Sequence, residues 1–135
     1  MQLMPLPANH EVCLRPLLQL VADGATHKLS DVREELADQL GVTPEEKQIL
    51  TPTGGKPLYR DRMDWARTDL VQAGLLEAPR RGHIVITPRG RDALATGPAD
   101  LDRAYLKQSP EFEAFLGRRF RDQAQTVGAK WFAER

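Results

Sequence analysis

The chain has 135 residues, and its 19 lysines and arginines are balanced by 19 aspartates and glutamates, so its formal net charge is zero. This length allows one domain with an ordinary core, and the neutral balance means that bulk charge indicates no class of partner. A single cysteine, Cys13, excludes a disulfide framework and is typical of a protein in a reducing compartment.

Membrane and secreted proteins are excluded by what the sequence lacks. No apolar run approaches the roughly 20 residues that cross a bilayer. Residues 1–7 are predicted to form a flexible leader, and they lack the basic start and long apolar core of a signal peptide. We therefore predict a cytoplasmic protein that does not contact a membrane.

The sequence also offers no catalytic or metal-binding motif. The three histidines are scattered, so neither a metal site nor a cofactor is predicted. Glu45 and Lys47 resemble the end of a metal-dependent nuclease motif, but they fall in the first turn of a predicted helix and not on a buried strand. We interpret them as a cap and surface charge, and we predict that the chain is not an enzyme.

Two helices are predicted at the start of the chain. In Ala8–Ala22 the apolar residues recur with helical spacing, at Leu14, Leu17, Leu18 and Val21. We interpret Cys13 as a small buried hydrophobe beside them. Pro16 lies within this pattern, so it must either sit near the true helix start or bend the helix. Ser30 is a suitable cap for a second helix, which Gly41 ends. Its buried ridge is Val32, Leu36 and Leu40, and its outer face is acidic and solvated.

The segment that follows is predicted to be short and turn-rich. Thr43 to Glu46 form a capping box with proline at the first helical position, which predicts a short third helix. Thr51–Pro57 is predicted to be a flexible polar loop whose Lys56 is a candidate contact for a DNA backbone. Leu58 and Tyr59 are predicted to form a short strand that pairs with a later hairpin.

The stretch from Arg60 to Thr87 contains the strongest pattern. A helix over Arg60–Gly74 carries one apolar stripe, with Asp61 as its cap and Gly74 as its stop. The stripe consists of Met63, Ala66, Leu70 and Ala73. Leu75–Ala78 and His83–Thr87 alternate like half-buried strands around the basic turn Pro79–Gly82. A helix followed by a basic-tipped hairpin is the second half of a winged helix, which lays the helix in a DNA groove and the hairpin along the phosphates.

Further helices are predicted beyond the hairpin. Thr87 caps a helix over Pro88–Ala95 that ends at Gly97, and Ala99–Lys107 is also predicted to be helical. Ser109 caps a last helix with one apolar face, formed by Phe112, Phe115, Leu116 and Phe120. This face either closes the core or makes a homodimer with a second copy. On its opposite side lie Arg118, Arg119 and Arg121, which are interpreted as solvated or as auxiliary phosphate contacts. We divide the chain into a leader (1–7), a winged-helix domain (8–97) and a C-terminal helical extension (98–135).

The charges are unevenly distributed along this neutral chain. From Arg60 to Arg91 seven arginines face four acids (7 − 4 = +3), whereas Lys28 to Lys47 holds three bases and six acids (3 − 6 = −3). This asymmetry orients a protein on a polyanion. We predict that the DNA-contacting residues are Arg60, Arg62, Arg67, Thr68, Gln72, Arg80, Arg81 and His83.

The outward face of the central helix contains features that oppose a simple groove contact. Asp61 and Asp64 lie on that face with Asp69 beside it, and phosphates would repel them. The helix therefore docks by its Arg60/Arg67 edge or by Arg62, or else the wing dominates. Trp65 lies off the apolar stripe, and we interpret it as packing against a neighbouring segment rather than stacking on a flipped base.

The ordered pattern from Cys13 to Leu94 resembles the N-terminal domain of Mrr-type restriction proteins. The most telling pieces are Trp65-Ala66 followed by Ala73-Gly74-Leu75, and Arg81-Gly82 leading to Ile86-Thr87-Pro88 and Gly90. The resemblance implies a winged-helix DNA-binding module, usually joined to a C-terminal nuclease domain that cleaves modified foreign DNA. We expect no room for that nuclease domain in 135 residues.

We therefore predict a mainly α fold with a small β-hairpin wing, a winged helix-turn-helix with a helical extension. The predicted function is duplex DNA binding that targets a sequence or a modification in an Mrr-like restriction system, with a separate nuclease domain or subunit as partner. The alternative is a winged helix used for protein–protein interaction or as a stand-alone transcriptional regulator.

Overall fold

The structure, a computed structural model, describes residues 10–52, 54–98 and 100–123, with side chains described as far as Arg118. The elements follow in chain order: a 3-10 helix His10–Cys13, α1 Leu14–Leu20, β1 His27–Lys28, α2 Leu29–Leu40, a 3-10 helix Glu46–Gln48, α3 Leu58–Gln72, β2 Leu76–Glu77, β3 His83–Ile86, α4 Pro88–Thr96, α5 Arg103–Leu106 and α6 Pro110–Gln123. The three strands form one antiparallel sheet in the order β1-β3-β2. This confirms the predicted fold class, a mainly helical α+β structure with a small antiparallel sheet, and the arrangement is consistent with a winged helix. In the described part of the chain, no helix has the length and apolar character needed to cross a bilayer.

The first helix confirms the predicted apolar stripe. Leu14, Leu17, Leu18 and Val21 are all buried, as is Cys13. Pro16 is the third residue of α1, so it lies near the helix start, where the missing N–H group has no helical partner to lose. The predicted start at Ala8 and the leader 1–7 lie outside the described residues.

The second helix begins two residues earlier than predicted, and its cap position is Lys28 and not Ser30. Leu29 is the first helical residue, and its N–H donates to the carbonyl of Gly82 at 2.8 Å. The turn of the hairpin therefore pairs with the first N–H of the helix and starts the helix before Ser30, which is why the Ser30 prediction was wrong. Gly41 ends the helix with a φ of +73°, as predicted.

The segment between α2 and α3 corrects two predictions. The capping box is present, since Thr43 and Glu46 exchange hydrogen bonds of 2.8 and 3.1 Å, but it starts only a single 3-10 turn. Leu58 and Tyr59 form the first turn of α3 and not a strand, because Tyr59 is buried in the core there. Asp61 is consequently not a cap, and its N–H already bonds to the carbonyl of Pro57.

The central helix α3 is packed on several sides. It contacts the first 3-10 helix, α1, α2, β2, α5 and α6. The predicted stripe of Met63, Ala66, Leu70 and Ala73 is buried, and Asp69 is also completely buried. Every residue of α3 is at least half-buried. This helix is therefore the core element of the fold.

Strands β2 and β3 and the turn between them form a hairpin, which we call the wing. The wing turn also contacts the start of α2. Leu76 pairs with Ile86 and Glu77 with Val85, so the strands are shorter than predicted but in the predicted order. Gly82 adopts a φ of +76°, which favours glycine in this turn. Strand β1, which completes the sheet, was not predicted. It places Lys28 opposite His83.

The residues after the wing hold the hairpin against α4. The Thr87 hydroxyl accepts from the Gly90 N–H at 3.0 Å and donates to the Gly74 carbonyl at 2.6 Å. A Cβ atom at Gly90 would collide with the carbonyl of Leu75 and with Ile86. Thr87 is the predicted cap of α4, and Gly90 is required by close packing.

The extension packs on the same core. Leu101, Leu106, Phe112 and Leu116 are all buried within it. The predicted helix Ala99–Lys107 is wrong in extent: Ala99 lies outside the described residues, and Asp102 caps α5 by accepting from the Tyr105 N–H.

The last helix begins as predicted, and its apolar face turns inward. Ser109 caps α6, with its hydroxyl accepting from the Phe112 N–H at 3.3 Å. Phe112 and Leu116 are 0 % and 5 % exposed, so they close the core of their own chain and are not available to a homodimer. Phe115 is half-buried, and the side chains of Phe120, Arg119 and Arg121 lie outside the described part.

Candidate nucleic-acid interface

A cleft lies between α3, the start of α2 and the wing, and half of the predicted DNA-contacting residues line it. We call it the wing cleft; its volume is about 280 Å³. It is lined by Leu29, Arg67, Ala78, Arg80, Arg81, Gly82, His83 and Ile84. The structure therefore brings Arg67, Arg80, Arg81 and His83 together from two separate elements.

The local structure determines how each of these side chains reaches the cleft. Arg67 follows the buried Ala66 on α3, so it emerges at the edge of the core and is half-buried. Arg80 and Arg81 lie in the exposed wing turn, just before Gly82. His83 is the first residue of β3.

Hydrogen bonds within the wing orient its basic side chains without neutralising them. Arg80 Nη2 lies 3.3 Å from His83 Nε2, and His83 Nδ1 lies 3.0 Å from the Arg81 carbonyl oxygen. A guanidinium only donates and a carbonyl only accepts, so Nε2 accepts and Nδ1 carries the proton. Within the described residues, no carboxylate forms an ion pair with Arg67, Arg80 or Arg81.

Lys28 adds a cation to this side of the molecule that the sequence reasoning missed. It is exposed and pairs directly with His83 across the β1–β3 ladder. Side chains of directly opposed residues in an antiparallel pair project from the same face. The charge count had placed Lys28 on the acidic side, because a two-residue strand gives no periodic signal that identifies it.

The remaining predicted residues lie outside the wing cleft. Arg60, Arg62, Thr68 and Gln72 are half-buried on α3. The charge of Arg62 acts on the thiol of Cys13, which places Arg62 toward the first 3-10 helix. Gln72 lines a separate open groove together with Glu77, Arg89 and other residues.

The acids that were predicted to repel phosphates are held by cations. Asp64 accepts from Arg33 Nε at 2.9 Å and from Lys56 Nζ at 2.6 Å, and Lys56 also lies 3.8 Å from Asp61. Lys56, which we had expected near a DNA backbone, is thus engaged with α3. Trp65 is half-buried and is not among the residues that line the wing cleft.

Asp69 is the buried centre of a second cluster. Its Oδ2 accepts from His10 Nε2 at 2.7 Å and from Arg103 Nε at 2.9 Å. Burial alone raises the pKa of Asp69, but the hydrogen bonds and charges of His10 and Arg103 outweigh burial and hold that pKa below its usual value. Glu11 accepts from the Arg103 N–H at 2.8 Å, so the cluster ties the start of the chain, α3 and the extension together.

The remaining candidates for reactivity are the thiol of Cys13 and any side chains that could bind a metal ion. Burial raises the pKa of the Cys13 thiol to about 12 against the opposing charge of Arg62, which leaves it an unreactive core residue, as predicted. Among the residues that the structure describes, no group of three or more His, Cys, Asp or Glu side chains is arranged to hold a metal ion.

Comparison with known proteins relates the sequence of this chain to one family. Residues 11–96 match the family described as the Mrr N-terminal domain. Over 93 residues the chain is 34% identical to the type IV methyl-directed restriction enzyme EcoKMrr of Escherichia coli strain K12. That alignment covers 67% of this chain but only 30% of the enzyme, so the chain spans less than a third of this curated relative. No solved structure matches the chain significantly.

Proposed function

The chain belongs to the Mrr N-terminal domain family, and from this membership we propose that it binds duplex DNA as the targeting module of an Mrr-like restriction system. The observation that carries the proposal is the wing cleft, where Arg67, Arg80, Arg81 and His83 converge without a neighbouring carboxylate in the described residues. The relative EcoKMrr is named as a methyl-directed restriction enzyme, and DNA is the substrate of such an enzyme.

The physical basis is local charge on a neutral protein. Each phosphate that a lysine or arginine neutralises releases a condensed counterion, which provides most of the sequence-independent affinity for DNA. Arg80 and Arg81 are exposed at the tip of the wing, and Lys28 lies beside them on β1. These cations form the surface that faces the DNA backbone.

The packing of α3 supports docking led by the wing. Every residue of α3 is at least half-buried, so deep insertion of this helix into the major groove would require its neighbours to move. Arg67 is the α3 residue that shares the cleft with the wing. Contacts of this kind are mainly to phosphates, and they position the protein on the duplex rather than read its sequence.

The proposal assigns no catalysis to the described residues. The matched relative is more than three times as long as the aligned part, and we propose that a nuclease domain or subunit acts together with this module. The acidic outward face of α3 and the zero net charge favour the alternative role in protein–protein contact. In the folded chain Asp61 and Asp64 are paired with Lys56 and Arg33, so the acidic face supports that role less.

The proposal is tested by removing the two arginines of the wing tip. The double variant Arg80→Ala/Arg81→Ala should bind random duplex DNA more weakly on all sequences. The log–log salt slope should decrease in magnitude by about 2, because two phosphate contacts are lost. Fluorescence anisotropy at a series of salt concentrations measures both quantities.

The matched control removes two charges elsewhere. Lys107 is exposed on the extension and Lys47 lies on the 3-10 helix Glu46–Gln48, and neither lines the wing cleft, so Lys47→Ala/Lys107→Ala should keep the wild-type slope. An unchanged slope in the wing variant, or equal losses in both variants, would contradict DNA binding through the wing.

A further inference from the structure

Arg67 has a donor that the folded chain leaves unused. Its Nε atom is covered, and it has no hydrogen-bond partner among the described residues. Buried polar groups in folded proteins are almost always paired, so an unpaired charged donor calls for an explanation. The position of Arg67 in the wall of the wing cleft suggests that a ligand provides the missing acceptor.

The surroundings of Arg67 define the charge of that ligand. Arg80, Arg81 and His83 line the same cleft, Lys28 pairs with His83, and no lining residue carries a carboxylate. These groups together favour an anion.

The shape of a guanidinium identifies the class of anion. Its Nε and one terminal nitrogen form a fork that matches two oxygens of a phosphate or carboxylate. We propose that the wing cleft is a subsite for one backbone phosphate of duplex DNA, held by Arg67 through Nε and a terminal nitrogen. This inference rests on the proposed function and adds to it a specific residue and a specific contact.

The covered position of Nε has a structural consequence. The side chain must turn toward the cleft before a phosphate oxygen reaches Nε. Leu29 and Ile84, which line the same cleft, are buried. The phosphate thus fixes Arg67 between α3 and the wing.

The first test uses two substitutions of Arg67 on a duplex with 5′-hydroxyl ends, which offers only internal phosphodiesters. Arg67→Ala should weaken binding and reduce the magnitude of the log–log salt slope by about 1, the value expected for one phosphate. Arg67→Lys should retain the wild-type slope yet bind several-fold more weakly, because an ammonium is a point charge without the fork. Lys107→Ala, the control on the extension, should change neither quantity.

The second test needs no DNA. The Nε–H group of Arg67 is followed by ¹⁵N NMR while inorganic phosphate replaces chloride at constant ionic strength. The Arg67 signal should shift and become protected from exchange. The matching signal of Arg15 should not move, since both terminal nitrogens of Arg15 already donate to carbonyls of Leu94 and Pro98.

The outcomes separate the subsite from the proposed function. An Arg67→Ala variant that loses affinity with an unchanged salt slope would overturn the subsite and indicate a base contact. A loss of melting temperature without any change in binding would overturn it in favour of a purely structural arginine. If the wild-type protein binds no duplex at all, the proposed function fails, and the phosphate titration alone decides the subsite: a shift at Arg67 supports it and no shift overturns it.

Discussion

Asp69 is the residue at which three parts of the chain meet. Its carboxylate is completely buried and accepts from His10 at the start of the described chain and from Arg103 in the extension. Removing one partner of a buried ion pair destabilises a protein strongly, because the other charge stays uncompensated. Asp69 is thus a structural residue, although the sequence had placed it at the edge of an outward face.

The cluster predicts a pH-dependent stability that Asp69→Asn removes. The folded pKa of Asp69 lies below the unfolded value of about 3.9, so its contribution is present above that pH and is lost as the pH falls through the folded pKa. At pH 7 the variant should be less stable by roughly 3 kcal/mol, the low end for a broken buried pair, since Arg103 is partly exposed. Urea unfolding from pH 7 to pH 3 measures the difference, which should shrink at the acid end.

A surface aspartate provides the comparison for this variant. Asp31 is exposed on α2, so Asp31→Asn should change the free energy of unfolding by less than about 0.5 kcal/mol at every pH. Parallel pH profiles for Asp69→Asn and the wild type would show that the buried carboxylate does not control acid stability.

Individual residues differ in how well the sequence reveals their role. Thr87 and Gly74, which helped to identify the family pattern, could be assigned because caps and left-handed turns depend on local chemistry. Gly90 carries no such local signal, since the backbone of Leu75 that it approaches is distant in sequence. The partners of Asp69 were missed for the same reason.

At the scale of elements, helical periodicity predicted the buried faces of the helices well, whereas capping residues predicted the helix starts less well. The apolar stripes of α1 and α3 were predicted because burial follows the 3.6-residue repeat. In α2 the predicted ridge is confirmed at Val32 and Leu36, whereas Leu40 is only half-buried. Ser30 and Asp61 failed as caps, since the true helix starts are set by Gly82 of the wing and by the loop ending at Pro57. Tertiary contacts decided both starts.

The last helix, α6, provides a test at this scale. Phe112 is completely buried, so Phe112→Ala should lower the free energy of unfolding by about 3–5 kcal/mol through lost burial and a cavity. The oligomeric state should not change, because this side chain packs within its own chain. Chemical denaturation and sedimentation together measure the two effects.

The neighbouring residue controls for effects on the helix itself. Glu113 is exposed in the first turn of α6, so Glu113→Ala should cost only a few tenths of a kcal/mol. A Phe112→Ala variant that is as stable as Glu113→Ala, or that changes from a larger to a smaller assembly, would show that α6 packs against a second copy.

At the scale of the whole molecule, the distribution of charge matters more than its sum. The net charge is zero, yet Lys28, Arg67, Arg80 and Arg81 are gathered on the wing side of the fold. The acidic residues of α3 are paired internally, and those on the outer face of α2 are exposed to solvent. Such an arrangement orients a neutral protein on a polyanion.

Only part of the candidate site could be predicted from the sequence. The sequence identified the wing arginines because a basic turn between two strands is a local pattern. It could not show that Arg67 shares their cleft while Arg62 and Gln72 do not, since that depends on how α3 is rotated in the core. It also could not assign Lys28, which joins the site only through sheet pairing.

The central claim, that this neutral protein binds duplex DNA through a locally basic face, is tested most directly by the salt dependence of wild-type binding to a random duplex. If Lys28, Arg67, Arg80 and Arg81 each neutralise one phosphate, the logarithm of the association constant should fall linearly with the logarithm of salt concentration, with a slope of roughly −4. Binding that is absent at the lowest salt concentration, or an affinity that does not change with salt, would contradict the account.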